Sequence, residues 1–103
     1  MRTSKKPYVG IDKDNDGGMT VVGRIIRDAW VFGIIPETET CAGWQTAALE
    51  DLWTKTHAEW EKYGHKVNQL PEDIRERFMR IHREAFDRAK EAGWDASLDD
   101  NDG

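Results

Sequence analysis

The chain has little of what several protein classes require. Cys41 is the one cysteine in 103 residues, so no internal disulfide can form and a disulfide-framework miniprotein is excluded. A reducing cytoplasm is the compartment that such cysteine usage fits. No uncharged run approaches the ~18 residues of a membrane-spanning helix. The basic start (Arg2, Lys5, Lys6) leads into Pro7 and then Asp12, Asp14 and Asp16, not into the apolar segment of a signal peptide. Positive charge is in deficit: 15 Lys and Arg stand against 20 Asp and Glu, for a net charge of -5. Nucleic-acid binding runs on neutralisation of phosphate by cations, so this balance argues against a generic nucleic-acid partner. The chain lacks internal repeats, and its only biased segment is a short acidic end.

What is present is one domain's worth of chain, long enough to bury a core without staples. Hydrophobic residues make up 38% and charged residues 34%, and five tryptophans are many for this length. Charge is unevenly placed, with +3 over residues 1–6 and -4 over residues 95–103, which leaves -4 for the rest. These features predict an N-terminal arm and Asp/Gly-rich loop over 1–18, a helical domain over 19–94, and a mobile acidic tail over 95–103.

Three segments carry helical periodicity. Over 19–33, Met19, Val22, Ile26, Ala29, Trp30 and Gly33 recur at steps of three and four. Thr20, Arg24, Arg27, Asp28 and Val31 lie on the other side, and Gly23 weighs against the helix. Over 41–63, with Thr38 or Thr40 as the expected N-cap, Leu49, Leu52, Trp53, Thr56, Trp60 and Tyr63 share a face. Gly64 is the expected left-handed terminator. Over 71–92, Pro71 opens the segment and Glu72 and Asp73 sit in its first turn, where the helix dipole favours negative charge. Ile74, Phe78, Ile81, Ala85, Ala89 and Ala92 form its stripe, and Gly93 closes it. The expected fold is all-α and three-helix bundle-like, since none of these faces can be buried alone. Residues 8–11 read as a strand or an anchored arm.

Several constellations carry possible chemistry. Asp12-Lys13-Asp14-Asn15-Asp16-Gly17 matches the first half of an EF-hand loop. Aspartates at alternate positions with a glycine turn supply the hard oxygens that calcium needs, although Gly23 stands where the loop requires a bidentate Glu. Cys41, near a helix start, is a candidate nucleophile or redox-sensing thiol. Cys41, His57, His65 and His82 are separated by 16, 8 and 17 residues, without the close pairs that build zinc sites. Arg77, Arg80 and Arg83 step along the third helix as a possible grip for an acidic partner. Interleaved acids balance them, so a helix-turn-helix DNA reader has the helix count without the charge.

Tyr8 to Asp12, running into Gly17-Gly18-Met19-Thr20, resembles the opening of two phosphate-handling folds. These are the haloacid-dehalogenase-type phosphotransferases and the actin-like sugar kinases. The likeness spans about a dozen residues, with Asp14 and Asp16 as insertions. Both folds need repeated β-α units, for which this chain has neither the length nor the strand signals.

Trp30, Trp53 and Trp60 read as core, whereas Trp44 and Trp94 fall at helix ends. With Met79, Phe86 and the Arg77/Arg80/Arg83 row they form a candidate contact surface, because exposed Trp and Arg are enriched at binding hot spots. The leading expectation is a small interaction or self-association module with a protein partner or homodimer. The alternatives are a calcium module on Asp12, Asp14 and Asp16, and an enzyme or redox sensor using Cys41.

Overall fold

The computed structural model describes residues 7–94. The -4 tail over 95–103, the basic residues at 2–6 and the Asp16 side chain lie outside that description. Three α-helices form the domain: α1 (Val21–Val31), α2 (Thr46–Glu61) and α3 (Glu72–Glu91). Short 3-10 turns occur at Ile11–Lys13, Asn15–Gly18 and Val67–Gln69. Among the described residues there is no strand, and no helix is long and apolar enough to cross a membrane.

Each helix ends as its glycine predicts. Beyond α1, Gly33 N–H donates to the Trp30 carbonyl and Ile34 N–H to Ala29. Gly93 and Trp94 repeat the pattern on Lys90 and Ala89 beyond α3. This is the Schellman arrangement, which satisfies carbonyls that the helix leaves open.

The start of α2 differs from expectation, at Thr46 rather than residue 41. Residues 40–44 are committed elsewhere. Tyr8 N–H donates to Trp44 O at 2.8 Å, Gly43 N–H to Tyr8 O at 2.8 Å, and Ile11 N–H to Thr40 O at 3.0 Å. Cys41 and Gly43 both take left-handed backbone angles, φ 65° and 84°, which a right-handed helix cannot include. The N-cap is therefore Gln45, without a side-chain bond, and Thr40 Oγ1 accepts from Ala42 N–H. Residues 8–11 are thus the anchored arm, not a strand.

α1 is the central element, packed by α2, by α3 and by the Ile11–Lys13 turn. Ile26, Ala29, Trp30 and Val31 from α1 join Ile11, Cys41, Leu52 and Ile81 in one core, with Trp44, Leu49, Ile74 and Phe78 against it. Being covered on three sides changes the polar face that periodicity assigns to solvent. Arg27 and Asp28 are only 4% and 7% exposed. Arg27 Nη1 donates to Gly18 O at 2.7 Å, and Nη2 lies 3.7 Å from Met19 Sδ. Burial works against the Arg27 charge and the neighbouring Asp28 supports it. A buried charge without partners would cost several kcal/mol, so these contacts are a condition of the fold.

Gly23 has a positional reason that outweighs its poor propensity. Its N–H caps on Thr20 Oγ1 at 3.0 Å, and a Cβ there would lie 2.2 Å from the Gly18 carbonyl oxygen. Gly23→Ala should therefore lower stability by roughly 1–3 kcal/mol through overpacking, even though alanine gains about 1 kcal/mol in an open helix. Urea unfolding of the two chains measures this, and a rise in the midpoint would contradict it.

Candidate functional site

The Asp-rich loop is organised around Asp14. Its Oδ2 accepts hydrogen bonds from Tyr8 Oη and Thr20 Oγ1, each at 2.5 Å, and its Oδ1 accepts from Asn15 N–H at 2.7 Å. Asp14 thereby links the arm to the N-cap of α1. Burial, then the hydrogen bond and charge of Asp14, push the Tyr8 phenol above its ordinary range. Three of the roughly four lone-pair sites of the Asp14 carboxylate are thus occupied by donors of the chain itself. Asp12 is exposed nearby.

Cys41 is fully buried within the core. Desolvation, and then the charge of Glu39, raise its thiol from 9.0 to about 11. Glu39 also accepts from Cys41 N–H at 3.0 Å. An activated nucleophile needs the opposite shift, produced by a helix N-terminus or a cation. Here α2 begins five residues later and the neighbour is an anion.

The arginine row separates into different tasks. Arg77 Nη1 donates to the Val31 carbonyl at 2.8 Å and so closes the end of α1. Arg80 bonds both oxygens of Glu37, at 3.1 and 2.8 Å, and reaches Glu84 at 3.4 Å. Only Arg83 of the three faces fully outward.

The tryptophans also redistribute. Trp30 is buried and donates Nε1–H to Glu39 O at 3.0 Å. Trp44 packs against the core, beside the arm. Trp53, expected inside, is 49% exposed and stacks on His57 with centroids 5.0 Å apart. It sits at the edge of its stripe, about 100° around the helix from Leu52. Trp94 is half-buried and meets Phe86 edge-on at 5.2 Å.

Two surfaces follow from this packing. The first is the outer side of α3, where Met79 is 59% and Phe86 39% exposed. Glu72, Glu76, Met79, Arg83, Phe86 and Lys90 are all exposed and recur at steps of four, three, four, three and four. Such spacing places them on one line along a helix. Lys90 Nζ lies 5.5 Å from the centre of the Phe86 ring, which adds a cation–π contact.

The second surface is a groove of about 330 Å³ between α1, α2 and the turn that follows α2. Val21, Arg24, Trp53, His57, Trp60 and His65 are among its lining residues, and Asp28 also lines it. Trp60 Nε1–H donates to Asp28 Oδ2 at 3.2 Å, and His82 Nε2 stands 3.6 Å from Oδ1. At one end, His57, Glu61 and His65 bring one ligand atom each to within 4.8 Å of one another. Sequence spacing alone did not pair these histidines. Glu61 lies one i,i+4 step from His57 on α2, which the sequence could show, but His65 lies beyond the helix end and is brought back only by the left-handed turn at Gly64 and His65.

Comparison of the chain with protein-family models, curated proteins and solved structures finds no match.

The buried thiol makes a pH prediction. The unfolded chain releases the Cys41 proton near pH 9.0 and the folded chain near 11. The stabilisation from the neutral thiol is complete below the lower value and is lost as pH rises through the higher one. Denaturant titrations from pH 8 to 10, below the range where the raised Tyr8 phenol adds its own loss, should show this decline, and Cys41→Ala should reduce its slope. An equal slope in the variant would refute the assignment.

Proposed function

We propose that this chain works by association, and that the outer line of α3 is its docking surface. The observation that carries the reading is the pattern along that line. Two exposed apolar residues, Met79 and Phe86, occupy its middle. Acids, Glu72 and Glu76, stand towards its start, and cations, Arg83 and Lys90, towards its end. Met, Phe and Arg are enriched at interfaces. The charge order is self-complementary: a second copy laid antiparallel sets the acidic end of one helix against the basic end of the other. A two-fold contact of this kind uses the same patch on both molecules. Spacing of four and three is also that of helices packed side by side.

This reading keeps Met79, Arg83 and Phe86 from the expected contact surface and adds Glu72, Glu76 and Lys90. It leaves Trp44, Arg77 and Arg80 with their structural contacts, and gives Trp94 the edge of Phe86. Exposed apolar side chains are common singly. Two in register on one line, interleaved with Arg83 and flanked by Glu76 and Lys90, support docking more strongly than either alone.

Sedimentation equilibrium over a wide concentration range tests the reading. The wild-type chain should pass from monomer to dimer, and Phe86→Glu or Met79→Glu should abolish the dimer while the helical circular dichroism is kept. Glu76→Lys should weaken the dimer and show a reduced response to salt. A chain that stays monomeric up to its solubility limit would defeat the proposal.

A further inference from the structure

We infer that His57, Glu61 and His65 hold one divalent transition-metal ion of the zinc class at the C-terminal end of α2. This site is separate from the α3 docking line and does not depend on it. Two imidazoles and a carboxylate are the donor types that zinc-like ions take at three-residue protein sites, with a further position left for water or a ligand.

The geometry is close to what such an ion requires. Donors about 2.0–2.1 Å from a tetrahedral centre stand roughly 3.3 Å apart. His57 Nε2 already lies 3.6 Å from Glu61 Oε2, and all three donor atoms lie within 4.8 Å of one another. All three side chains are exposed, so small rotamer changes can close the remaining gap.

Three further features favour a cation here. Glu61 is the last residue of α2, where the helix dipole presents its negative end. Lys62, the adjacent cation, pairs with Glu59 at 2.9 Å rather than with Glu61. The histidines are also positioned by their surroundings. Trp53 stacks on the His57 ring, within 16° of parallel. His65 follows Gly64 in a second left-handed conformation, φ 59°, which is uncommon for a residue with a side chain. That turn, closed by His65 N–H on Trp60 O at 3.0 Å, brings its ring to 4.8 Å from His57. Because His57 and His65 line the groove, the open coordination position is reachable from it.

The test is calorimetric titration of the untagged full chain with zinc, repeated with His57→Gln, Glu61→Gln, His65→Gln and Asp12→Asn. Wild type and Asp12→Asn should bind one ion with equal affinity, and each of the other three should bind at least about tenfold more weakly. In the wild-type chain, zinc should also shift the imidazole NMR signals of His57 and His65 while leaving those of His82 in place. Absence of saturable binding, unaltered affinity in a His57→Gln/His65→Gln double variant, or a shift confined to His82 would overturn the site.

Discussion

The structure depends on one carbonyl oxygen. Gly18 O accepts the Arg27 guanidinium at 2.7 Å and lies so close to α1 that position 23 has no room for a Cβ. This contact seats the Asp-rich loop on the helix and lets α1 be enclosed. Without it the Arg27 charge would be buried with no good acceptor, and the central helix would lose one of its three covers. Asp14 holds the same loop from its other side, through Tyr8 and Thr20.

Polar groups do much of the joining in this domain. Asp28 accepts from Trp60 of α2 and faces His82 of α3. Arg77 of α3 closes the last turn of α1. Together these contacts tie α2 and α3 to the same short helix. A small core is sensitive to such ties, since an unpartnered buried polar group is costly, and Arg27 Nε, Asp28 Oδ1 and His82 Nε2 are buried here without a hydrogen bond. The surface is then what the ties leave over. Glu72, Glu76, Met79, Arg83, Phe86 and Lys90 remain along α3, and the histidines remain at the end of α2.

Much of the fold was legible. The α3 stripe, the proline before it and the glycine after it predicted that helix to within a residue at each end, 71–92 against Glu72–Glu91. Local signals suffice there because one face meets the core and the other meets solvent. The all-α class and the three glycine-closed helix ends were likewise legible. Arg27 and Asp28 were not, because a periodic pattern assumes one buried face and α1 has three. The start of α2 was missed because hydrogen bonds to a distant arm hold residues 40–44 out of the helix. Trp53 was misplaced because a residue at the edge of a stripe is buried or exposed according to how far the neighbouring helix reaches. Of the candidate contact surface, Met79 and Phe86 are indeed exposed, but Arg77 and Arg80 were legible only as cations, not as groups already engaged.

The amino-acid sequence by itself determined the class of the fold, the number of helices and where each one stops. Those outcomes rest on spacing, capping and glycine conformation, which act within a few residues. Only the tertiary structure decided which charges lie inside, that the Cys41 thiol is buried beside an anion, and that His57 and His65 meet across Glu61. Those outcomes rest on contacts between groups distant in the chain or beyond a helix end. Their energies are set by what surrounds each group rather than by its neighbours in sequence.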